Sequence, residues 1–434
     1  MSKSLTDTVQ FRHGAQISSR LVMPPMLTFS GLKGGFVSDD TLRYYHARSQ
    51  AAGLLIAEYH YVSESGGPCS TPGYPEQLGI YSDEHLEGAE KIAAALQKNG
   101  NKAILQIHHG GREASGRAVK GEEVLAPSAL DFSFLSYPVR EMTNTEIEEI
   151  IKDFGRAVKG EEVLAPSALD FSFLSYPVRE MTNTEIEEII KDFGRATKRA
   201  IKAGFSGVEI HGANHYLLQQ FFSSFSNVRE DKWGGSLEKR MAFPLAVVKE
   251  VKRVVEKYAP KDFIVGYRIS PEEIHGDEVG YTYREAQALI REVIKYELDY
   301  IHLSLWGGYA SKPVGSDQTY AEHFKSILDN QTKLIIVGGV FSEEDAQDAI
   351  AQTPTDLIAV GRGTLIDPLF GQKIKEGRGN EIVHQISPEQ LEQTAWTSGL
   401  REVFTREDSL GLPELPGHDS ITELHTGKYE DAEK

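Results

Sequence analysis

Three polar side chains crowd into the stretch Glu209-Ile-His211-Gly-Ala-Asn214-His-Tyr216. His211 and Asn214 both carry hydrogen-bond donors. Their spacing, just past an apolar run, lets both aim at one oxygen. Each such donor on a developing oxyanion is typically worth about 3 kcal/mol. Tyr216 is a weak acid suited to delivering a proton to carbon. Together they fit a reaction in which charge builds on a carbonyl oxygen while a proton goes to carbon. The plainer alternative is that His211 caps a strand and Tyr216 packs; these residues alone leave both open. A metal pair of His211 and His215 has the i,i+4 spacing of a helix face. Position 212 is glycine, however, and no third ligand is evident, so no metal ligand is expected. His108 and His109 are adjacent on an extended run, point to opposite faces, and cannot chelate together.

The elements that would hold these groups alternate short apolar runs with longer amphipathic ones, the pattern of strand–helix repeats and a parallel sheet. Eight strands are expected: Leu21–Met26, Leu54–Tyr59, Ala103–His108, Gly207–His211, Phe263–Ile269, Tyr300–Ser304, Leu334–Gly338 and Leu357–Gly361. Eight such units close into an α/β (β/α)8 TIM barrel, whose chemistry sits at the strand C-terminal ends. Gly338, Gly339, Gly361 and Arg362 fall at the ends of strands seven and eight, where this fold commonly binds phosphate. Glycines let backbone N–H groups approach an anion, and Arg362 adds charge. No G-x-G-x-x-G run exists, so a dinucleotide-binding Rossmann unit is not indicated.

After strand three the chain carries a tandem 39-residue duplication: Gly116–Phe154 and Gly155–Phe193 are identical. Repeat architectures drift and usually need three or more units, so two perfect copies read as a recent duplication and one spare insert. Only copy two runs unbroken into strand four. Thr182 with Glu185 forms a capping-box pattern, and a barrel helix over 183–203 is expected from this copy. Copy one is expected as a surface excursion whose helix, near 144–154, needs another partner. The barrel is expected over 1–380, followed over 381–434 by a tail with one amphipathic stretch, Pro388–Phe404, and a mobile end after Leu412.

Two motifs, E-I-H-G-A-N-H-Y-L-L-Q-Q-F ending at Phe221 and W-G-G-S-L-E-K-R ending at Arg240, lie between strands four and five. In this combination the chain resembles the Old Yellow Enzyme, or NADH:flavin oxidoreductase, family from about Leu21 to Gly377. The resemblance implies FMN at the barrel mouth, hydride from NADH or NADPH, and reduction of activated C=C bonds in a ping-pong cycle. It makes His211 and Asn214 the carbonyl-binding pair and Tyr216 the proton donor. Gln106 suits the amide-like pyrimidine end of a flavin, and Arg268 suits the charge that reduction places there. Strand one and its continuation, Pro25, Met26, Leu27 and Thr28, resemble the segment along the flavin, and Tyr59 ends strand two beside it. Thr28 stands one position later than the family's usual threonine or cysteine, and Tyr59 replaces a usual small residue. His109 and Arg112 match an H-x-G-R segment for which a structural role is expected.

Net charge is −18, which disfavours nucleic acid and anionic membrane as partners. No apolar run reaches the length of a membrane span, and no secretory signal is visible. The single cysteine, Cys69, forms no internal disulfide, so a cytoplasmic protein acting on a small molecule, possible as a homo-oligomer, is expected. An iron–sulfur cluster needs about four cysteines, which argues against the dienoyl-CoA reductase and trimethylamine dehydrogenase branch. Two alternatives stay open here: a flavin-binding barrel whose turnover the duplication impairs, and an unrelated phosphate-binding barrel such as an aldolase.

Overall fold

The computed structural model describes residues 3–69, 73–114, 125–126, 164–165 and 178–429. Eight parallel strands close on themselves: β1 (Leu21–Met23), β2 (Leu54–Tyr61), β3 (Lys102–His108), β4 (Gly207–Gly212), β5 (Ile264–Ile269), β6 (Tyr300–Leu303), β7 (Lys333–Val337) and β8 (Leu357–Ala359). β8 pairs with β1 through Ile358–Leu21 and Ala359–Val22, which completes the ring. The outer helices are α1 (Asp39–Ala47), α2 (Leu86–Gln97), α3 (Asn183–Lys202), α4 (Ala242–Tyr258), α5 (Tyr283–Val293), α6 (Tyr320–Lys325), α7 (Glu343–Gln352) and α8 (Phe370–Lys375). β1 is shorter than the apolar run suggests. Pro24 and Pro25 have no N–H to give a ladder, so pairing stops at Met23.

Alternation along each strand separates two cores. Outward residues such as Leu55, Leu105, Val208, Val265, Ile301 and Ile336 pack beneath the helices. Inward residues at the strand starts, among them Leu54, Ile104, Ile264, Tyr300, Ile335 and Leu357, fill the barrel. The N-terminal hairpin, Val9–Gln10 against Gln16–Ile17, adds Val9, Phe11 and Ile17 to that inner core. Phe11 meets the Tyr300 ring at 6.2 Å between centroids. Further along the same inward columns the residues turn polar: Gln106 and His108 on β3, Glu209 and His211 on β4, Arg268 on β5, His302 on β6. An apolar plug thus underlies a polar floor within one barrel.

Helix α3 takes its first eleven residues from copy two of the duplication. Thr182 caps it, with Glu185 reaching back to the Thr182 N–H at 2.7 Å, and its buried face (Ile186, Ile189, Phe193, Ala196, Ala200) joins the outer core. The dipeptides Leu125–Ala126 and Leu164–Ala165, equivalent positions of the two copies, both pair parallel to Arg179–Glu180. The copy-one helix expected near 144–154 lies outside the described residues. In the tail, the stretch expected as one amphipathic helix is two, Pro388–Leu391 and Ser398–Thr405. Ala395 between them has a left-handed backbone, φ 51°. Leu415 and Ile421 are buried, so the described chain stays packed beyond Leu412.

Candidate active site

At the C-terminal ends of the strands lies a cavity of about 500 Å³. The site residues Pro25, Met26, Leu27, Tyr59, Asn214, Tyr216, Arg268, Gly338, Gly339, Gly361 and Arg362 all line it. Gln106 and His211 are buried directly beneath. Thr28 is a correction. Its N–H and hydroxyl both turn to Glu58, at 3.1 and 2.6 Å, behind the cavity wall, while Leu27 faces the cavity. Neighbouring extended residues point oppositely, so one slot's offset from the family pattern reverses the side chain's direction.

Tyr59 owes its place to a bulge. Where β3 advances two residues, from Leu105 to Ile107, β2 advances three, from Ala57 to His60. The extra residue inverts the alternation. Glu58 therefore turns out to Thr28 and Tyr45, and Tyr59 turns in. Its hydroxyl is 3.0 Å from that of Tyr216. Rings of His108 and His211 stand edge-on to Tyr216, at 4.3 and 5.0 Å between centroids. Burial pushes the phenols of Tyr59 and Tyr216 above the usual tyrosine range.

Asn214 sits at φ 57°, held by its N–H donating to Ser270 Oγ at 3.0 Å. Its Oδ1 accepts from Ser304 Oγ at 2.8 Å, and Ser304 Oγ accepts from Arg268 at 3.0 Å. With Oδ1 committed, the amide NH₂ is the end left for a ligand. In His211, Nδ1 accepts from the Ala213 N–H at 3.3 Å, so the neutral ring carries its proton on Nε2. Burial, then the Arg268 charge, keeps this imidazole neutral. Both side chains are thus set as donors.

Below them Glu209 accepts from Gln106 Nε2 at 2.6 Å and pairs with His302 Nδ1 at 2.9 Å. Burial pushes its carboxyl up, but His302, Arg268 and Gln106 outweigh that and hold it ionised. Gln106 Oε1 and Arg268 Nε are buried with no protein partner, an acceptor and a donor of the kind an isoalloxazine pyrimidine edge would pair with. Gly338 and Gly339 both have left-handed backbones, φ 123° and 74°, and a Cβ on Gly338 would come within 2.9 Å of Gly308 Cα. The residues present fit FMN at its polar ring edge and at a glycine-lined end.

The model of the NADH:flavin oxidoreductase / NADH oxidase family matches residues 8–165 and 160–381. The chain belongs to this family. The two matched pieces meet within copy two of the duplication. The chain is 36% identical over 382 residues to "Probable NADH-dependent flavin oxidoreductase YqiG" of Bacillus subtilis (strain 168), covering 88% of this chain and 90% of that one. It is 35% identical to the NADH:acrylate oxidoreductase of Vibrio harveyi, over 85% of this chain but 33% of that longer protein. Among solved structures it resembles Old Yellow Enzyme from Pichia sp. (26% identity, TM-score 0.65, 86% of this chain and 87% of that). It also shares its fold with the Old Yellow Enzyme homologue from Zymomonas mobilis (23% identity, TM-score 0.68, 91% and 99%). This Old Yellow Enzyme relative is an FMN-dependent oxidoreductase that draws hydride from NADH or NADPH. No helix among the described residues is long and apolar enough to cross a membrane.

His109 and Arg112 support the wall instead of meeting the cavity. His109 Nδ1 accepts from the Gly111 N–H, and Arg112 donates to Ser226 Oγ at 2.7 Å. Several wall residues escaped the sequence reading. Ser304 is legible in principle, because alternation through Tyr300-His302-Ser304 puts all three inward. Leu400, Phe404, Leu412 and Pro413 of the tail also line the cavity, and nothing local in the sequence signals that. Thr397 Oγ1 donates to the Thr28 carbonyl and Arg362 to the Glu414 carbonyl, which seats the tail there.

Proposed function

We propose that this enzyme reduces activated C=C bonds, of enones or similar acceptors. What supports the reading is that His211 and Asn214 are both set as donors, and that the Tyr216 ring, 5.0 Å from the His211 ring, lines the same cavity as Asn214. Bound there, FMN would supply the chemistry of a ping-pong hydride transfer from NADH or NADPH to the acceptor's β-carbon. Gln106 and Arg268 would hold its pyrimidine edge, and Gly338, Gly339, Gly361 and Arg362 its phosphate. His211 and Asn214 bind the carbonyl oxygen and stabilise the charge that forms on it. Each such donor contributes roughly 3 kcal/mol. Ser304 and Arg268 keep Asn214 turned with its NH₂ outward. Tyr216 delivers the proton to the α-carbon. Burial keeps it protonated across the neutral range, and the Tyr59 hydroxyl, 3.0 Å away, can donate to the Tyr216 oxygen until solvent returns the proton given up.

The test is stopped-flow kinetics on the two half-reactions. Tyr216→Phe should slow reoxidation by an enone such as 2-cyclohexenone and leave reduction by NAD(P)H nearly unchanged. Equal loss in both, or no reoxidation of the wild type by any enone in a panel, would sink the reading.

A further inference from the structure

Outside the catalytic set, one cluster of ligating side chains has no role so far: His215, Glu273 and His275. After β5 the chain forms a hairpin, Glu273–His275 against Glu278–Tyr281, with a register shift between Glu273 and Ile274. Residues two apart on a strand face the same way, so Glu273 and His275 turn together toward His215. One ligand atom from each of the three lies within 4.8 Å of the others. His275 Nε2 is 3.2 Å from Glu273 Oε1, and His215 Nδ1 is 3.9 Å from that same oxygen. Glu273 is 2% exposed, while His215 and His275 are half-buried.

A single side chain orients two of the three ligands. Gln219 Nε2 donates to Glu273 Oε2 at 2.8 Å, which leaves Oε1 toward the imidazoles. Gln219 Oε1 accepts from the His215 backbone N–H at 3.1 Å, and Gln219 Nε2 also lies 3.3 Å from His215 Nδ1, a contact that a cation at Nδ1 would displace. His215 has a left-handed backbone, φ 63°, a conformation that is strained for a non-glycine residue and persists only where surroundings impose it. The strain places its ring beside Glu273 and at the cavity wall.

We propose that His215, Glu273 and His275 form a site for a divalent transition cation, Zn²⁺ foremost, at the rim of the substrate cavity. Two imidazoles and one carboxylate are a ligand set that Zn²⁺ takes with a fourth position left for water. Oxygen-seeking Mg²⁺ and Ca²⁺ do not favour imidazole. Metal–ligand bonds of about 2.1 Å require the rings to close in by about an ångström, a movement that His275, half-buried on its hairpin, can supply. His215 also lines the cavity, so occupancy is coupled to what enters it. The proposal does not depend on the acceptor named above.

The experiment is equilibrium dialysis of chelator-treated, FMN-loaded protein against Zn²⁺ alone, followed by metal analysis. Wild type should retain one equivalent per chain more than His275→Ala and His275→Gln, with flavin absorbance reporting that each variant is folded. Gln219→Leu, which frees the carboxylate, should weaken binding about 10- to 100-fold. No retention by wild type, or equal retention by wild type and whichever His275 variant keeps its flavin, overturns the proposal.

Discussion

At the residue scale the site is built from side chains whose charge or orientation a neighbour dictates. His211 and Asn214 become donors because Ala213 and Ser304 occupy their acceptor atoms. The double variant His211→Ala, Asn214→Ala should lose about four or more orders of magnitude in enone reduction, if each donor contributes 10²–10³-fold. Flavin absorbance near 450 nm should persist, since Gln106, Arg268 and the glycines are untouched. Glu58 offers a pH test. Burial raises its carboxyl from the usual range to about 7, against partial relief from Thr28 and Tyr45. A raised carboxyl favours the folded state while it stays protonated. That contribution is complete below about 4.5, fades as pH rises, and is gone above about 7. The span is on the order of 3 kcal/mol. Glu58→Gln, which mimics the neutral form, should flatten the pH dependence of urea unfolding between pH 4.5 and 7. An unchanged slope would place the titration elsewhere.

At the element scale the strands do two jobs along one column, with apolar plugs at their starts and polar groups at their ends. β5 shows how tightly that is enforced. Gly266 lies opposite Tyr300 and Glu209 in register, and a Cβ there would stand 2.1 Å from the Tyr300 ring, itself fully buried. Gly266→Ala should therefore cost about 1–3 kcal/mol, the usual price of overpacking, read as a lower urea midpoint. A neutral result would mean the ring can move. The bulge in β2 is the other decisive element feature. One extra residue exchanges Glu58 for Tyr59 at the mouth, and so sets a phenol instead of a carboxylate beside Tyr216.

At the scale of the whole molecule the open matter is the duplication. The barrel's third helix begins in copy two, and removing Gly116–Phe154 joins Ser115 to an identical continuation. That deletion should give a protein at least as stable in thermal unfolding and still yellow, because extra loop length costs only about 0.6 kcal/mol of closure entropy per doubling. Loss of FMN or of folding on deletion would make the insert integral. The tail matters at this scale too. Leu400, Phe404, Leu412 and Pro413 wall the cavity from sites far along the chain from β1 and β2.

Short apolar runs with intervening amphipathic stretches were enough to read eight strand–helix units, because burial of a barrel strand on both faces leaves a local pattern. The linear spacing of His211, Asn214 and Tyr216 likewise survives folding, since all three leave one strand end together. What alternation could not show was where it breaks. The β2 bulge, decided by pairing with β3, turned Tyr59 inward, and hydrogen bonds to Glu58 turned Thr28 outward. The His215–Glu273–His275 cluster and the tail's place in the wall depend on contacts between segments dozens to hundreds of residues apart. No local periodicity encodes such contacts; they arise only when the barrel closes and brings its loops to one face.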